Sequence, residues 1–123
     1  MIVSKSNKYT LLLSHDPCEL FKHFNLSHLH GLNSKDCKKY NNTSSDSYIA
    51  GMCNYIPSTD KLFIFINLSR CTSDIVTMGL VMHETMHLAF KFFKDEEQLI
   101  TFAEKEAYKI SLEITYNIKN GKY

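Results

Sequence analysis

Apolar positions along this chain follow two periods. Residues 48–56 and 62–68 hold short runs rich in β-branched and aromatic side chains, and Pro57-Ser58-Thr59-Asp60-Lys61 between them has turn chemistry, which predicts a β-hairpin. The second arm, Leu62-Phe63-Ile64-Phe65-Ile66, is apolar at consecutive positions, so both of its faces are expected to be covered. An earlier apolar run at 8–13 reads as a first strand. Asp16-Pro17 then supplies an N-cap and first-turn pair for a helix to about Phe24. Residues 25–47 are rich in Ser, Asn, Lys and His, with Gly31 and no sustained period, and read as a long polar loop offering little to the core.

The period changes after Thr72, Ser73 and Asp74, three candidate N-caps. Residues 75–93 are apolar except for Thr77, His83, Glu84, Thr85, His87 and Lys91, which predicts a helix buried around most of its circumference. A polar break at 94–97 precedes a second helix from about 96 to 118, its stripe running through Leu99, Ile100, Phe102, Ala103, Ala107, Ile110 and Ile114 towards Gly121. The two helices are expected to form an antiparallel hairpin. With no repeat or linker, residues 1–123 form one α+β domain, a small mixed or antiparallel sheet packed on the helix that carries His83.

Composition narrows the function classes. At 123 residues the chain can bury roughly two-thirds of its unfolded surface in one core. Fourteen basic against 13 acidic side chains leave a formal charge of +1, and Arg70 is the sole arginine, so no nucleic-acid partner is expected. No apolar run approaches the ~20 residues that span a bilayer, and the opening residues lack the apolar stretch of a secretory leader. The expectation is a cytoplasmic protein without a membrane partner. Cys18, Cys37, Cys53 and Cys71 show no CxxC spacing, and in a reducing compartment they read as free thiols. The Asn-x-Ser triplets at Asn25, Asn42 and Asn67 then carry no meaning.

The chemistry is concentrated in His83-Glu84-Thr85-Met86-His87, an HExxH pattern. Two histidines four apart on a helix lie one turn, ~6 Å, apart on one face, where both imidazoles can reach a single Zn2+. Glu84 projects about 100° away, beside the metal, where a carboxylate can take a proton from zinc-activated water and return it to a leaving amine. Roughly 0.02 such matches are expected by chance in a chain of this composition. The alternative, three buried polar side chains without a metal, needs three separate sets of hydrogen-bond partners.

Such a site needs a third protein ligand and an open position. Phe90 and Phe93 exclude the metzincin continuation HExxHxxGxxH. Candidates on the next helix are Glu96, Glu97, Glu104 and Glu106. If the first helix runs to about Lys94, the antiparallel neighbour of His87 is Glu104; Glu97 is the runner-up if that helix stops near Phe90. Ala107 is small enough to let the helices approach. His15, His23, His28 and His30 lie around the polar loop with only weak ligand spacing, Met52, Met78, Met82 and Met86 read as core filler, and residues 35–39 read as a solvated basic face.

The HExxH pattern followed by Glu104-Lys105-Glu106-Ala107-Tyr108 resembles the HExxH plus ExxA arrangement of gluzincin-type zinc metallopeptidases, particularly the small stand-alone forms of phages and bacteria. The resemblance covers about residues 48–118. It implies a minimal zincin that hydrolyses peptide bonds in a peptide or protein substrate, with His83, His87 and Glu104 on zinc, Glu84 as general base, and residues 62–68 as the strand edge that binds substrate by β-addition. Tyr108 is a candidate oxyanion stabiliser, although an ordinary half-buried helix tyrosine is the favoured account of it. Two other readings stay open: a non-hydrolytic zinc-clamped interaction module, with Cys53 or Cys71 as a fourth ligand, and a protease directed at one regulatory partner such as a repressor or antitoxin. The oligomeric state is not legible.

Overall fold

The computed structural model describes residues 2–5, 9–29, 31–56 and 61–123. Its strands are β1 (Ile2–Lys5), β2 (Tyr9–Ser14), β3 (His28–Leu29), β4 (Leu32–Asn33), β5 (Gly51–Ile56) and β6 (Lys61–Asn67). The α-helices are α1 (Cys18–Phe24), α2 (Asp74–Phe92), α3 (Glu96–Phe102) and α4 (Tyr108–Lys119), with a π segment at Ala103–Ala107 joining the last two. The fold is α+β, as expected. A four-stranded mixed sheet has the order β1-β2-β6-β5, with β2 and β6 parallel and the outer pairs antiparallel. No helix among the described residues is long and apolar enough to cross a membrane.

Register explains the consecutive apolar run. β6 is paired on both sides, and its alternate side chains enter two cores. Leu62, Ile64 and Ile66 join Leu11 and Leu13 of β2 against α2 and α4, while Phe63 and Phe65 join Leu12 against α1. This corrects one expectation: β6 is central, so its backbone is committed and it cannot be the substrate edge. Among the described residues the outer strand on the side of β6 away from β2 is β5. The turn at 57–60 and His30 lie outside the described residues.

Helix ends follow the local chemistry. Asp16 Oδ1 accepts the Cys18 N–H at 2.9 Å, Ser73 Oγ accepts that of Val76 at 3.2 Å, and Asp95 Oδ1 accepts that of Glu97 at 2.7 Å. The α2 and α4 helices pack as an antiparallel hairpin, and Lys119 Nζ at one end lies 3.5 Å from Asp74 Oδ2.

The stretch read as a polar loop is more ordered than expected. It holds the β3–β4 hairpin and a 3-10 helix at Ser34–Asn41 capped by Asn33, and Leu29 and Tyr40 are buried in the core beneath α1. Cys18 and Cys37 form a disulfide between α1 and this 3-10 helix, so the reading of four free thiols holds only for Cys53 and Cys71. Fully buried Asn67 ties the layers together: its Nδ2 donates to Asn41 Oδ1 at 2.8 Å and to the Ile49 carbonyl at 2.9 Å, and its Oδ1 accepts the Ser69 N–H. These bonds satisfy the amide and fix the end of β6, from which the chain turns into α2.

Candidate metal centre

The α2 helix meets three surroundings. Thr77, Val81, Glu84, Thr85, Leu88 and Ala89 are buried where it crosses β5 and β6 and packs on the π segment and α4. The Thr77 and Thr85 hydroxyls donate to the carbonyls of Ser73 and Val81, four residues back, which satisfies them inside the core. The third face is open, contrary to the expectation of burial around most of the circumference. Ile75, Gly79, His83, His87 and Phe90 are exposed along it.

On this face the helix brings the two histidines together. His83 Nε2 and His87 Nε2 lie 3.1 Å apart with the rings nearly perpendicular. Two nitrogens each ~2.0–2.1 Å from one tetrahedral zinc would be separated by about 3.3 Å, so the pair has the bite of a metal half-site. They border an open groove of about 310 Å3 lined by Gly79, Met82, Met86 and Phe90. Met82 and Met86 therefore do more than fill the core: each is half-buried, packing inward while lining the groove.

Glu84 takes the opposite course and is only 6% exposed. Burial pushes its carboxyl above the ordinary carboxylate range, against the opposing pull of His83 and His87, so the three groups share one electrostatic neighbourhood. The packing that encloses it depends on Gly51. A Cβ there would lie 2.9 Å from Glu84 Cγ and 3.0 Å from Leu80 Cδ1, a separation that only glycine permits without a shift. The opening residue of the β5 edge thus abuts the carboxylate-bearing turn of α2. Sequence reasoning missed Gly51, although a glycine opening an apolar strand is a signal of close backbone approach.

Cys53 lies on the same side of β5 and is half-buried against the α2 core. Burial, and secondarily the charge of Glu84, push its thiol up to about 12. At pH 8.5 it should therefore react with iodoacetamide about a thousandfold more slowly than free cysteine, and faster once Glu84 is replaced by Gln. Labelling at the rate of an exposed thiol would mean that β5 does not pack on α2 as described.

The other expected ligands are not gathered at the pair. Glu97 and Glu104 are exposed, the first on α3 and the second on the π segment, and among the described residues no group of three His, Cys, Asp or Glu side chains is placed to share an ion. The π segment spans Ala103–Ala107, the whole ExxA stretch. The Tyr108 N–H reaches back to the Ala103 carbonyl; along this segment Glu104, Lys105 and Glu106 are exposed while Ala107 is fully buried. Tyr108 is half-exposed on the helix surface. His15 and His28 are exposed and sit with α1 and the β3–β4 hairpin; the His28 ring is 3.1 Å from Ser27 Oγ, and His23 stacks edge-on to Phe24. Comparison with known proteins finds no family model, no curated protein and no solved structure that matches this chain.

Proposed function

We propose that the protein is a zinc-dependent peptidase, a minimal gluzincin-like hydrolase. The observation that carries the reading is the 3.1 Å approach of two imidazole nitrogens with a buried glutamate in the intervening turn. His83 and His87 would hold the ion; Glu104, expected from the sequence as the third ligand, is exposed on the π segment and would have to close on the pair to complete the site. Zinc bound there supplies a Lewis acid and acidifies water. Glu84 performs the proton chemistry: it takes a proton from the attacking water and delivers it to the amine nitrogen that leaves. Its desolvated setting strengthens it as a base, because a carboxylate held away from water binds a proton more readily. The outer edge of β5, the last strand of the sheet among the described residues, begins beside Glu84 and is the proposed dock for an extended peptide backbone.

The test joins metal content to turnover. Protein equilibrated with zinc should retain the ion and cleave an unfolded protein substrate. Both His83→Ala and His87→Ala, singly and combined, should lose metal and turnover together, and Glu104→Gln should weaken zinc retention only if that carboxylate closes on the ion. Stoichiometric zinc in the double histidine variant would remove the pair from the site. Cytosolic action remains a proposal from the sequence, and the Cys18–Cys37 disulfide weighs against it.

A further inference from the structure

The open face of α2 carries more than two histidines. Ile75, Gly79, Met82, His83, His87 and Phe90 recur at helical spacing and form one stripe that contains no Asp, Glu, Lys or Arg. Its ends are the large exposed apolar side chains Ile75, at 86%, and Phe90, at 65%. Gly79 stands inside the helix, where glycine is less favourable than alanine. A Cβ there would meet nothing within 4 Å among the described residues, so their packing does not require the missing side chain. The stripe thus offers a projecting ring, an unfilled position and, between them, a pair of imidazoles with the bite of a metal half-site.

These features complement themselves. We propose that two copies of this chain associate through the α2 stripe about a two-fold axis, sharing one zinc ion held by His83 and His87 of each copy. A two-fold axis perpendicular to α2 sets the helices antiparallel and makes every contact reciprocal. With the axis midway between the histidines, His83 faces the second copy's His87. The same register brings Phe90 within one residue of facing the second copy's Gly79, so each exposed ring meets an empty position. Both apolar stripes leave water together, and four imidazoles make a closed tetrahedral shell.

The inference rests on the reading that His83 and His87 bind zinc, and adds regulation of that site. A shell of four nitrogens has no vacancy for water, so the shared-zinc dimer is the silent form of the hydrolase. Stored, concentrated protein is held inactive, and dilution frees it.

Sedimentation velocity of metal-free chain titrated with zinc chloride tests this, with X-ray absorption at the zinc edge reading the ligands. The expected result is a dimer fully formed at one zinc per two chains, with four nitrogen ligands and dissociation by EDTA. Phe90→Asp and Gly79→Leu, both at exposed positions, should keep the circular dichroism of the parent and weaken the dimer at least tenfold. A chain that stays monomeric while binding one zinc overturns the shared site and leaves the peptidase reading intact. A chain that binds no zinc overturns both. A dimer that survives EDTA, or that Phe90→Asp leaves unchanged, overturns the register and the role of the metal.

Discussion

Glu84→Gln should retain zinc at the level of the parent protein and lose peptide hydrolysis by about 10²- to 10⁴-fold, the range that a positioned general base contributes. The amide keeps the shape that fills the space against Gly51 and Leu80 but cannot accept the proton of the attacking water. Stability supplies an independent readout. The folded carboxyl is raised above its ordinary value of 4.5, chiefly by burial, so its contribution is fully present below that value and is lost as pH rises through the raised one. The Gln variant lacks that loss and should melt no lower than the parent at pH 8. Equal turnover in the two proteins would remove Glu84 from the chemistry, whereas lost zinc would show that the substitution had disturbed the histidines.

Reducing the Cys18–Cys37 disulfide, or replacing Cys37 by Ser, should lower stability by about 3 kcal/mol and the melting temperature by about 10 °C. The bridge closes a 19-residue separation and fastens the 3-10 helix bearing Tyr40 to α1. That layer lies on the face of the sheet opposite α2, so the reduced protein should still bind zinc through His83 and His87 while it remains folded. Thermal melts with and without dithiothreitol read the effect, and counting thiols alkylated in denaturant after acid quenching of intact cells reads the compartment. Two free thiols would place the chain where disulfides persist; four would mean that the cytosol keeps the bridge open.

Local signals in the sequence recovered much of the architecture. The 3.6-residue period, with Ser73 among three candidate caps and a polar break at 94–97, placed α2 and the α3–π–α4 stretch within a residue or two of their outer ends, and turn chemistry between apolar runs marked the β5–β6 hairpin. Histidines four apart could meet only on one helical face, and they do. What sequence could not supply was pairing across distance. Ile2–Lys5 is too short and mixed to read as a strand until β2 stands beside it, and Cys18 has no local feature that selects Cys37 over Cys53. The edge assignment had its contrary evidence in view, since five successive apolar residues in β6 mark a strand covered on both faces and hence an interior one. The exposure of α2 was missed because Met82, Met86 and Phe90 look the same in a one-dimensional pattern whether they meet a core or a groove. The π segment was missed because an added backbone residue leaves the helical stripe intact in the sequence.

The parallel pairing of β2 with β6 bears on how the chain is made. Leu12 finds its neighbour Phe65 only after the intervening helix, 3-10 segment and β5 have been synthesised. At about 5–20 residues per second, the first hairpin waits on the order of several seconds on the ribosome with its apolar side chains unsheltered. Nascent chains halted before β6 should therefore be held by chaperones, and those halted after it released.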